Sequence, residues 1–317
     1  MKFSLPAAML ILACVVASPR AHAAETVRIA AAQNSIGSLP IVIARQRGLF
    51  TKAGIAVETI DFTGGAPAVQ ALASGSVDVC ICAADHAVRL RSRGLPGLVL
   101  VALTEYHGYG LVALASSPVS DLASLKGKRI GITSPGSLTD NTIRYFISEL
   151  KLDPDSDYEL IGTGTGGTMR AAIQSGAVAA GMLTTPDVQA ALTDKRFKLV
   201  ADFRNLQYPA LDVLAMGGWV HAHPDTARAF AAAVVEAEHL VQTDRAAVEA
   251  GLAEMFPRLD PALRGVLADE APHLIATDGI MAPGGYAMMV RMMQVSDPTV
   301  AAVPYAAVTD LSLLPHP

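Results

Sequence analysis

A repeat at a spacing of 101 residues limits this chain to a fold built from two similar halves. Internal similarity at a fixed spacing indicates duplicated structural units. Chance matches between small residues are common in a chain rich in Ala and Gly, so coincidence is the alternative interpretation. The aligned pairs are Arg28-Ile29 with Arg129-Ile130, Glu58-Thr59-Ile60 with Glu159-Leu160-Ile161, Gly65 with Gly166, Leu72 with Ile173, Ser74-Gly75 with Ser175-Gly176, and Val77 with Val178.

Each half has the same predicted order of elements: an apolar strand, a small polar loop, and a helix with apolar residues at helical spacing. Strands that alternate with helices in this way are typical of a parallel sheet covered on both faces. The sequence therefore predicts an α/β fold with two lobes, each a mostly parallel sheet flanked by helices. The predicted strands are 27–32, 57–62 and 77–83 in the first half, and 129–133, 158–163 and 178–184 in the second.

The N-terminus has the pattern of a cleavable secretory signal. Lys2 precedes an apolar run from Leu5 to Ala17, and Ala21-His22-Ala23 supplies small residues for cleavage. A membrane anchor and a lipoprotein signal ending at Cys14 are the alternatives, although the apolar run is short for a span. We expect a signal peptide over 1–23, lobe I over 24–106 plus 222–317, lobe II over 107–221, and a hinge between the lobes.

Charge and cysteine content narrow the partners and the compartment. After removal of 1–23 the chain has 22 basic and 29 acidic residues, which disfavours nucleic acid as a partner. Cys80 and Cys82 then remain, and a bridge between residues two apart on a strand is expected to be strained. We therefore predict that both are buried free thiols. We also expect a soluble monomer with no metal site and no cofactor.

Candidate ligand-binding residues are those that follow the predicted strands, because ligands of open α/β sheets bind at the carboxyl ends of strands. Several of these loops also open a helix, whose free amide groups can hold an anion. The alternative is that Ser137 and Thr139 only cap their own helix, and that Asp85, His107 and Asp187 are structural or solvated. The candidates are Asn34, Ser35, Gly64, Gly65, Asp85, His107, Gly136, Ser137, Thr139, Gly166, Gly167, Thr184 and Asp187.

Catalytic motifs are weak in this sequence. Gly162 to Gly167 fits a dinucleotide-binding Gly-x-Gly-x-x-Gly pattern, but export argues against a nicotinamide cofactor. His221-Ala222-His223-Pro224 is better explained as a loop that starts a helix than as a metal site. We predict no catalytic residue. An exported enzyme with this fold that acts on a small organic acid remains the alternative, because a fold does not fix a function.

Five segments of the sequence resemble the sulfonate, taurine, nitrate and thiamine-precursor binding proteins of ABC importers, the SsuA/NMT1-like family. The resemblance departs from the family at Ala179, where an Asp matching Asp78 is common, and at Thr184 to Asp187, so no single ligand class is assigned. The segments are Ser35-Ile36-Gly37, Arg47 to Ile55, Ala71 to Asp78, Asp121 to Gly131, and Gln174 to Val178.

The resemblance implies the type II periplasmic binding protein fold, in which two lobes close on a ligand. It also implies a location in the periplasm and two partners, a membrane permease and its ATPase. The expected ligand is a small polar or anionic molecule of the sulfonate, carboxylate, nitrate or pyrimidine class.

Overall fold

The protein is described here over residues 24–315 by a computed structural model, and the predicted signal peptide, 1–23, lies outside the described residues. Within them the chain forms two five-stranded sheets, each flanked by helices. The strands are β1 (Glu25–Ala31), β2 (Ile55–Asp61), β3 (Val79–Cys82), β4 (Gly97–Ala102), β5 (Tyr109–Leu114), β6 (Arg129–Ile132), β7 (Glu159–Gly162), β8 (Ala180–Thr184), β9 (Phe197–Asp202) and β10 (Asp212–Met216).

Helices connect most of the strands and make up the C-terminal part of the described chain. They are α1 (Leu39–Gln46), α2 (Leu49–Lys52), α3 (Gly65–Ala73), α4 (Asp85–Ser92), α5 (Leu138–Glu149), α6 (Gly166–Gln174), α7 (Asp187–Thr193), α8 (Gly217–Ala222), α9 (Pro224–Thr243), α10 (Arg245–Met255), α11 (Pro261–Leu274), α12 (Pro283–Met293) and α13 (Tyr305–Val308).

The two sheets share one topology. The strand order is β2-β1-β3-β10-β4 in the first sheet and β7-β6-β8-β5-β9 in the second. In each sheet the first three strands are parallel, and the fourth, β10 or β5, is antiparallel to both of its neighbours. Four of the five strands in each lobe therefore run in one direction, which confirms the predicted two-lobed α/β fold.

Strand register confirms the repeat residue by residue. Arg28 pairs with Glu58 in the first sheet, and Arg129 pairs with Glu159 in the second. The helices that follow also keep the offset, since α3 begins at Gly65 and α6 at Gly166. The similarity between the halves is thus structural and not a coincidence of composition.

Each sheet takes its antiparallel strand from the end of the other half of the repeat. After β4 the chain crosses to the second sheet as β5, and after β9 it returns to the first as β10. The predicted range for lobe II, 107–221, includes β10, whereas its pairing with β3 and β4 places it in the first sheet. The chain therefore returns to lobe I before Asp212 and not near residue 221. The offset aligns β5 with β10, since 109–114 falls on 210–215, but it does not show that each of these strands joins the sheet of the other half.

Apolar packing covers the outer face of each sheet. Side chains of β1, β3 and β4 pack with α1, α9, α10 and α11 in the first lobe, and those of β5 and β8 pack with α6 and α7 in the second. A third cluster passes through both lobes and includes residues of α12, which contacts α5. Within residues 24–315 no helix is both long and apolar enough to cross a bilayer.

The prediction that Cys80 and Cys82 are free thiols is wrong, although both residues are buried as expected. Cys80 and Cys82 are joined by a disulfide, with their Cα atoms 5.6 Å apart. Residues two apart on a strand point to the same face, which brings the two sulfurs together.

Candidate functional site

The carboxyl ends of the two sheets meet across a cleft, and polar groups of both lobes line one small cavity there. Gly65 at the start of α3 and His86 in α4 belong to the first lobe, while Thr133 and Ser137 belong to the second. The cavity measures about 20 Å³. The lobes come close beside it, because a Cβ atom at Gly64 would lie 3.5 Å from Ser134 Oγ.

A second cavity of about 20 Å³ adjoins the first and includes the predicted residues Ser35 and Thr184. Gln33 and Tyr109 line both cavities, and the Tyr109 hydroxyl donates a hydrogen bond to Gln33 Oε1. This contact between the lobes therefore divides the cleft. A ligand that occupies both cavities requires Gln33 and Tyr109 to move apart.

Hydroxyl groups form the wall of the second lobe. Ser137 precedes α5, yet its side chain bonds no amide of that helix. Instead Thr133 Oγ1 donates to Ser137 Oγ at 2.7 Å, and Thr139 Oγ1 accepts the amide of Thr133 at 2.9 Å. The hydroxyl groups of Thr133, Ser137 and Thr139 thus bond each other beside the start of α5, and Ser137 does not cap that helix.

Asp85 is fully buried and joins the two lobes. Asn141 Nδ2 in α5 donates to Asp85 Oδ2 at 2.7 Å, and Arg89 donates to Asn141 Oδ1 at 3.3 Å. Asp85 Oδ1 has no hydrogen-bond partner among the described residues. In this conformation Asp85 is a contact between lobes and does not line either cleft cavity.

His107 lies beneath the cleft with both ring nitrogens engaged. The Thr142 hydroxyl donates to the Leu138 carbonyl, so it accepts from His107 Nε2 at 2.8 Å. His107 Nδ1 accepts the Tyr109 amide at 3.2 Å, which assigns the proton to Nε2. Burial lowers the pKa of His107 to about 3. The ring is therefore neutral and has no free nitrogen for a ligand in this conformation.

The two equivalent glycines lie against side chains of different chemistry. A Cβ atom at Gly65 would lie 2.3 Å from His86 Nε2, and one at Gly166 would lie 3.2 Å from Asp187 Oδ2. His86 falls on Asp187 under the same offset. Burial lowers the pKa of His86 and raises the pKa of Asp187. The duplicated helix starts thus carry a neutral imidazole in one lobe and a carboxyl group in the other.

The remaining predicted residues lie outside the two cavities. The Gly136 amide donates to Asp140, and Gly167 is exposed at the start of α6. Asn34 donates to the Met255 carbonyl and lines a groove of about 550 Å³ that borders the two cavities, since Gln33 also lines it, as does Thr165 of lobe II.

The sequence analysis missed several polar residues that line the cleft, among them Gln33, His86, Tyr109 and Thr133. Gln33 and His86 each stand next to a predicted residue, and Tyr109 begins the crossover strand β5. Their proximity to Asn34, Asp85 and His107 was the available signal. No group of three or more metal-ligating side chains occurs within the part of the chain that the structure describes.

Comparison with curated proteins gives relatives of two kinds. The candidate binding protein YtlA of Bacillus subtilis strain 168 is 25% identical over 242 residues, which cover 74% of this chain and 72% of YtlA. The 4-amino-5-hydroxymethyl-2-methylpyrimidine phosphate synthase of Schizosaccharomyces pombe is 31% identical over 126 residues. That match covers 40% of this chain and 36% of the synthase, so the chain aligns with about a third of that enzyme.

Solved structures share the fold. The alkanesulfonate-binding protein SsuA of Xanthomonas axonopodis pv. citri, bound to MOPS, superposes with a TM-score of 0.74 and 18% identity. The match covers 92% of this chain and 96% of SsuA. A family model described as NMT1/THI5 like matches residues 35–244, which include β2 to β10 and the residues of both cleft walls. The chain therefore belongs to the NMT1/THI5-like family.

Proposed function

We propose that this protein captures a small polar or anionic molecule between its lobes and delivers it to an ABC importer. One observation carries the proposal: Gly65 and His86 of one lobe line a single cavity with Thr133 and Ser137 of the other. A ligand held there would contact both lobes at once. A ligand favours the closed state when it binds that state more tightly than the open state.

The chemistry of the cavity suits an acceptor group on the ligand. The start of α3 offers the amides of Gly65 and Ala66, since Pro67 has no N–H. Hydroxyls of Thr133 and Ser137 face them. Binding of MOPS, a sulfonate, by the structurally similar SsuA supports the sulfonate class, and carboxylate, nitrate and pyrimidine ligands have acceptors of the same kind.

The transport role adds partners and a compartment to the proposal. We propose a monomer that is exported by the 1–23 segment, works in the periplasm, and presents its closed form to a permease coupled to an ATPase. Lobe I would comprise 24–106 with the C-terminal region, now including β10, and lobe II the residues between. Closure of two lobes around a hinge is a general property of periplasmic binding proteins.

A thermal-shift screen tests the proposal. A ligand that binds only the folded state stabilises it by about 2.7 kcal/mol at 100-fold excess over its Kd. We expect one class among sulfonates, small carboxylates, nitrate and thiamine precursors to raise the melting temperature, and mass spectrometry to recover that ligand unchanged. A screen without any shift would contradict binding of these classes.

An enzyme with this fold, acting on a small organic molecule, is the second candidate function. The similarity to the Schizosaccharomyces pombe synthase favours it. The two candidates differ in the fate of the ligand. Conversion of a stabilising ligand to a product by the purified protein would support the enzyme and overturn simple capture.

A further inference from the structure

The two lobes differ near the amino ends of their parallel strands, on the side of each sheet that faces away from the cleft. Asp78 of lobe I and Ala179 of lobe II are equivalent under the 101-residue offset, as are Arg28 and Arg129. The Asp78 amide donates to the Arg28 carbonyl at 2.9 Å, and the equivalent bond from Ala179 to Arg129 measures 2.8 Å. Lobe II therefore keeps the arginine and the backbone of this place but lacks the carboxylate.

Lobe I shows how an arginine in this place holds a carboxylate. Asp78 accepts hydrogen bonds from Arg28 Nε at 3.0 Å, from Arg28 Nη2 at 2.7 Å and from the Arg28 amide at 2.8 Å. The carbonyls of Gly75 and Ser76 hold the guanidinium group from the other side, at 3.2 Å and 2.9 Å. Two bonds from one planar guanidinium group match the geometry of a carboxylate.

Arg129 is oriented in a similar way without an acidic partner. Its Nη2 donates to the Gly176 carbonyl at 3.4 Å, and Gly176 is the residue equivalent to Gly75. Glu159 is its neighbour in the strand register, yet Arg129 forms no ion pair with any residue from 24 to 315. The guanidinium group of lobe II thus keeps part of the arrangement that receives Asp78 in lobe I.

A groove of about 440 Å³ opens beside Arg129. Sites for small molecules are typically about 300–1,000 Å³ and combine an apolar lining with a few polar groups. Lys198 adds positive charge nearby, because its ammonium group donates to the carbonyl of Ser117 at 2.7 Å and Ser117 lines the groove. The apolar lining residues are Leu114, Ile173 and Val178, and the charged ones are Lys128, Arg129 and Glu159.

We propose that this groove of lobe II binds a small monocarboxylate with an apolar substituent. The carboxylate lies at Arg129 in the place that Asp78 takes beside Arg28, and the substituent lies on Ile173 and Val178. A stable protein partner needs about 800 Å² of surface on each side, so the volume of the groove favours a small molecule as its occupant. The inference does not depend on capture in the cleft, which lies at the opposite ends of the strands.

Fluorine NMR titration of the purified protein with 4-fluorobenzoate tests the inference. We expect 4-fluorobenzoate to bind and its neutral analogue, 4-fluorobenzamide, to bind about tenfold or more weakly, because hydrogen bonds to a charged group are the stronger ones. Arg129→Gln should weaken binding of the carboxylate by a similar factor, because it removes the guanidinium group. Ala179→Asp should do the same, because the protein then supplies its own carboxylate to Arg129.

Ala232→Asp is the matched control, since it adds the same charge at an exposed position of α9 in lobe I. It should leave the affinity for 4-fluorobenzoate unchanged, and circular dichroism should establish that every variant is folded. Equal weakening by Ala232→Asp would overturn the inference, because net charge alone would then explain the effect of Ala179→Asp.

Three further results would overturn the inference without affecting capture in the cleft. The first is equal affinity for the carboxylate and the amide. The second is unchanged affinity for 4-fluorobenzoate in folded Arg129→Gln and Ala179→Asp variants, which would assign any bound carboxylate to another surface. The third is no binding of 4-fluorobenzoate, and binding of an acetylated peptide with a C-terminal glutamate in its place would then assign the groove to a polypeptide partner.

Discussion

Lobe I and lobe II repeat one backbone, but they distribute polar groups differently. In lobe I, Arg28 bonds Asp78 at 2.7 Å, whereas the equivalent Arg129 faces Ala179 beside a groove of about 440 Å³. Duplicated topology thus needs only the apolar pattern of strands and helices. Polar side chains outside this apolar pattern differ between the two lobes, and the differences include residues of the cleft walls.

A second contrast lies in the crossover strands. Asp212 of β10 pairs with Cys82, while Gly110 of β5 pairs with Leu183, the residue equivalent to Cys82. Asp212 is fully buried, with Oδ1 accepting the Leu103 amide at 3.0 Å and Oδ2 unpartnered among the described residues. A Cβ atom at Gly110 would lie 2.8 Å from Leu199. Lobe I therefore holds a carboxyl group where lobe II holds no side chain.

The largest expected effect concerns two buried acids of lobe I. Burial raises the pKa of Asp212 to about 8 and that of Glu238 to about 9. The folded state keeps protons that the unfolded chain releases near pH 4, so the free energy of unfolding falls as pH rises toward 8 and 9. The slope is about 1.4 kcal/mol per pH unit for each group.

Asp212→Asn and Glu238→Gln should each reduce this pH dependence, because a neutral amide cannot lose the proton. Thermal denaturation between pH 5 and 9 measures it, with Glu236→Gln as an exposed control on the same helix as Glu238. A wild-type melting temperature that does not fall with pH, or variants that keep the full slope, would contradict the assignment of buried acids to lobe I.

The Arg28–Asp78 contact gives the next largest effect. Asp78 accepts hydrogen bonds from the Arg28 amide at 2.8 Å and from its guanidinium group. Asp78→Ala should destabilise the protein by about 1.5–3 kcal/mol, the range for hydrogen bonds to charged groups. The reciprocal change, Ala179→Asp, should stabilise it by no more than about 1 kcal/mol, because Arg129 is exposed.

Urea denaturation of both variants and of the double variant measures this pair. Ala179→Asp could instead stabilise the protein as much as Asp78→Ala destabilises it. The two arginines would then be equivalent, and their different burial would not affect the free energy of unfolding.

The smallest predicted effect is the difference in ligand affinity between variants at the two helix starts, Gly65 and Gly166. Strict symmetry predicts that Gly65→Asp and Gly166→Asp each weaken anion binding well over tenfold, which is more than about 1.4 kcal/mol. With a carboxyl group already at Gly166, we expect the large loss for Gly65→Asp and a smaller one for Gly166→Asp. The added side chain at Gly65 would also displace His86, and Gly166 has a φ of 53° that disfavours other residues.

Gly265→Asp is the matched control, because no atom lies within 4 Å of a Cβ atom built there. Circular dichroism should establish that each variant is folded before calorimetry compares affinities. Equal losses at Gly65 and Gly166 would restore the symmetric site and contradict different chemistry at the two walls.

Sequence reasoning was most accurate where the repeat and the apolar pattern act together. The offset correctly predicted that Gly65 and Gly166 begin equivalent helices, and the strands that it aligns have the same register in both sheets. It was less accurate where a strand of one half joins the sheet of the other half. The return of β10 to the first sheet depends on pairing between residues more than 100 apart, for which the sequence has no local signal.

The candidate site was predicted at the level of loops and not of side chains. Gly65, Ser137, Ser35 and Thr184 line the cleft cavities. His86 was missed because its contact with Gly65 arises when α3 packs on α4, and no spacing within either helix shows it. Asp85 and His107 are polar residues in predicted loops, but their partners lie on α5, so the sequence did not reveal that they are buried.

Hydrogen–deuterium exchange on saturation with the stabilising ligand tests capture between two lobes most directly. We predict slower exchange at 63–66 and 85–87 in lobe I and, together with these, at 133–139 in lobe II, with α9 unchanged as an internal reference because it packs on the outer face of lobe I. Protection confined to one lobe, or to the groove beside Asn34, would contradict the account, because the ligand would then be held without joining the two walls.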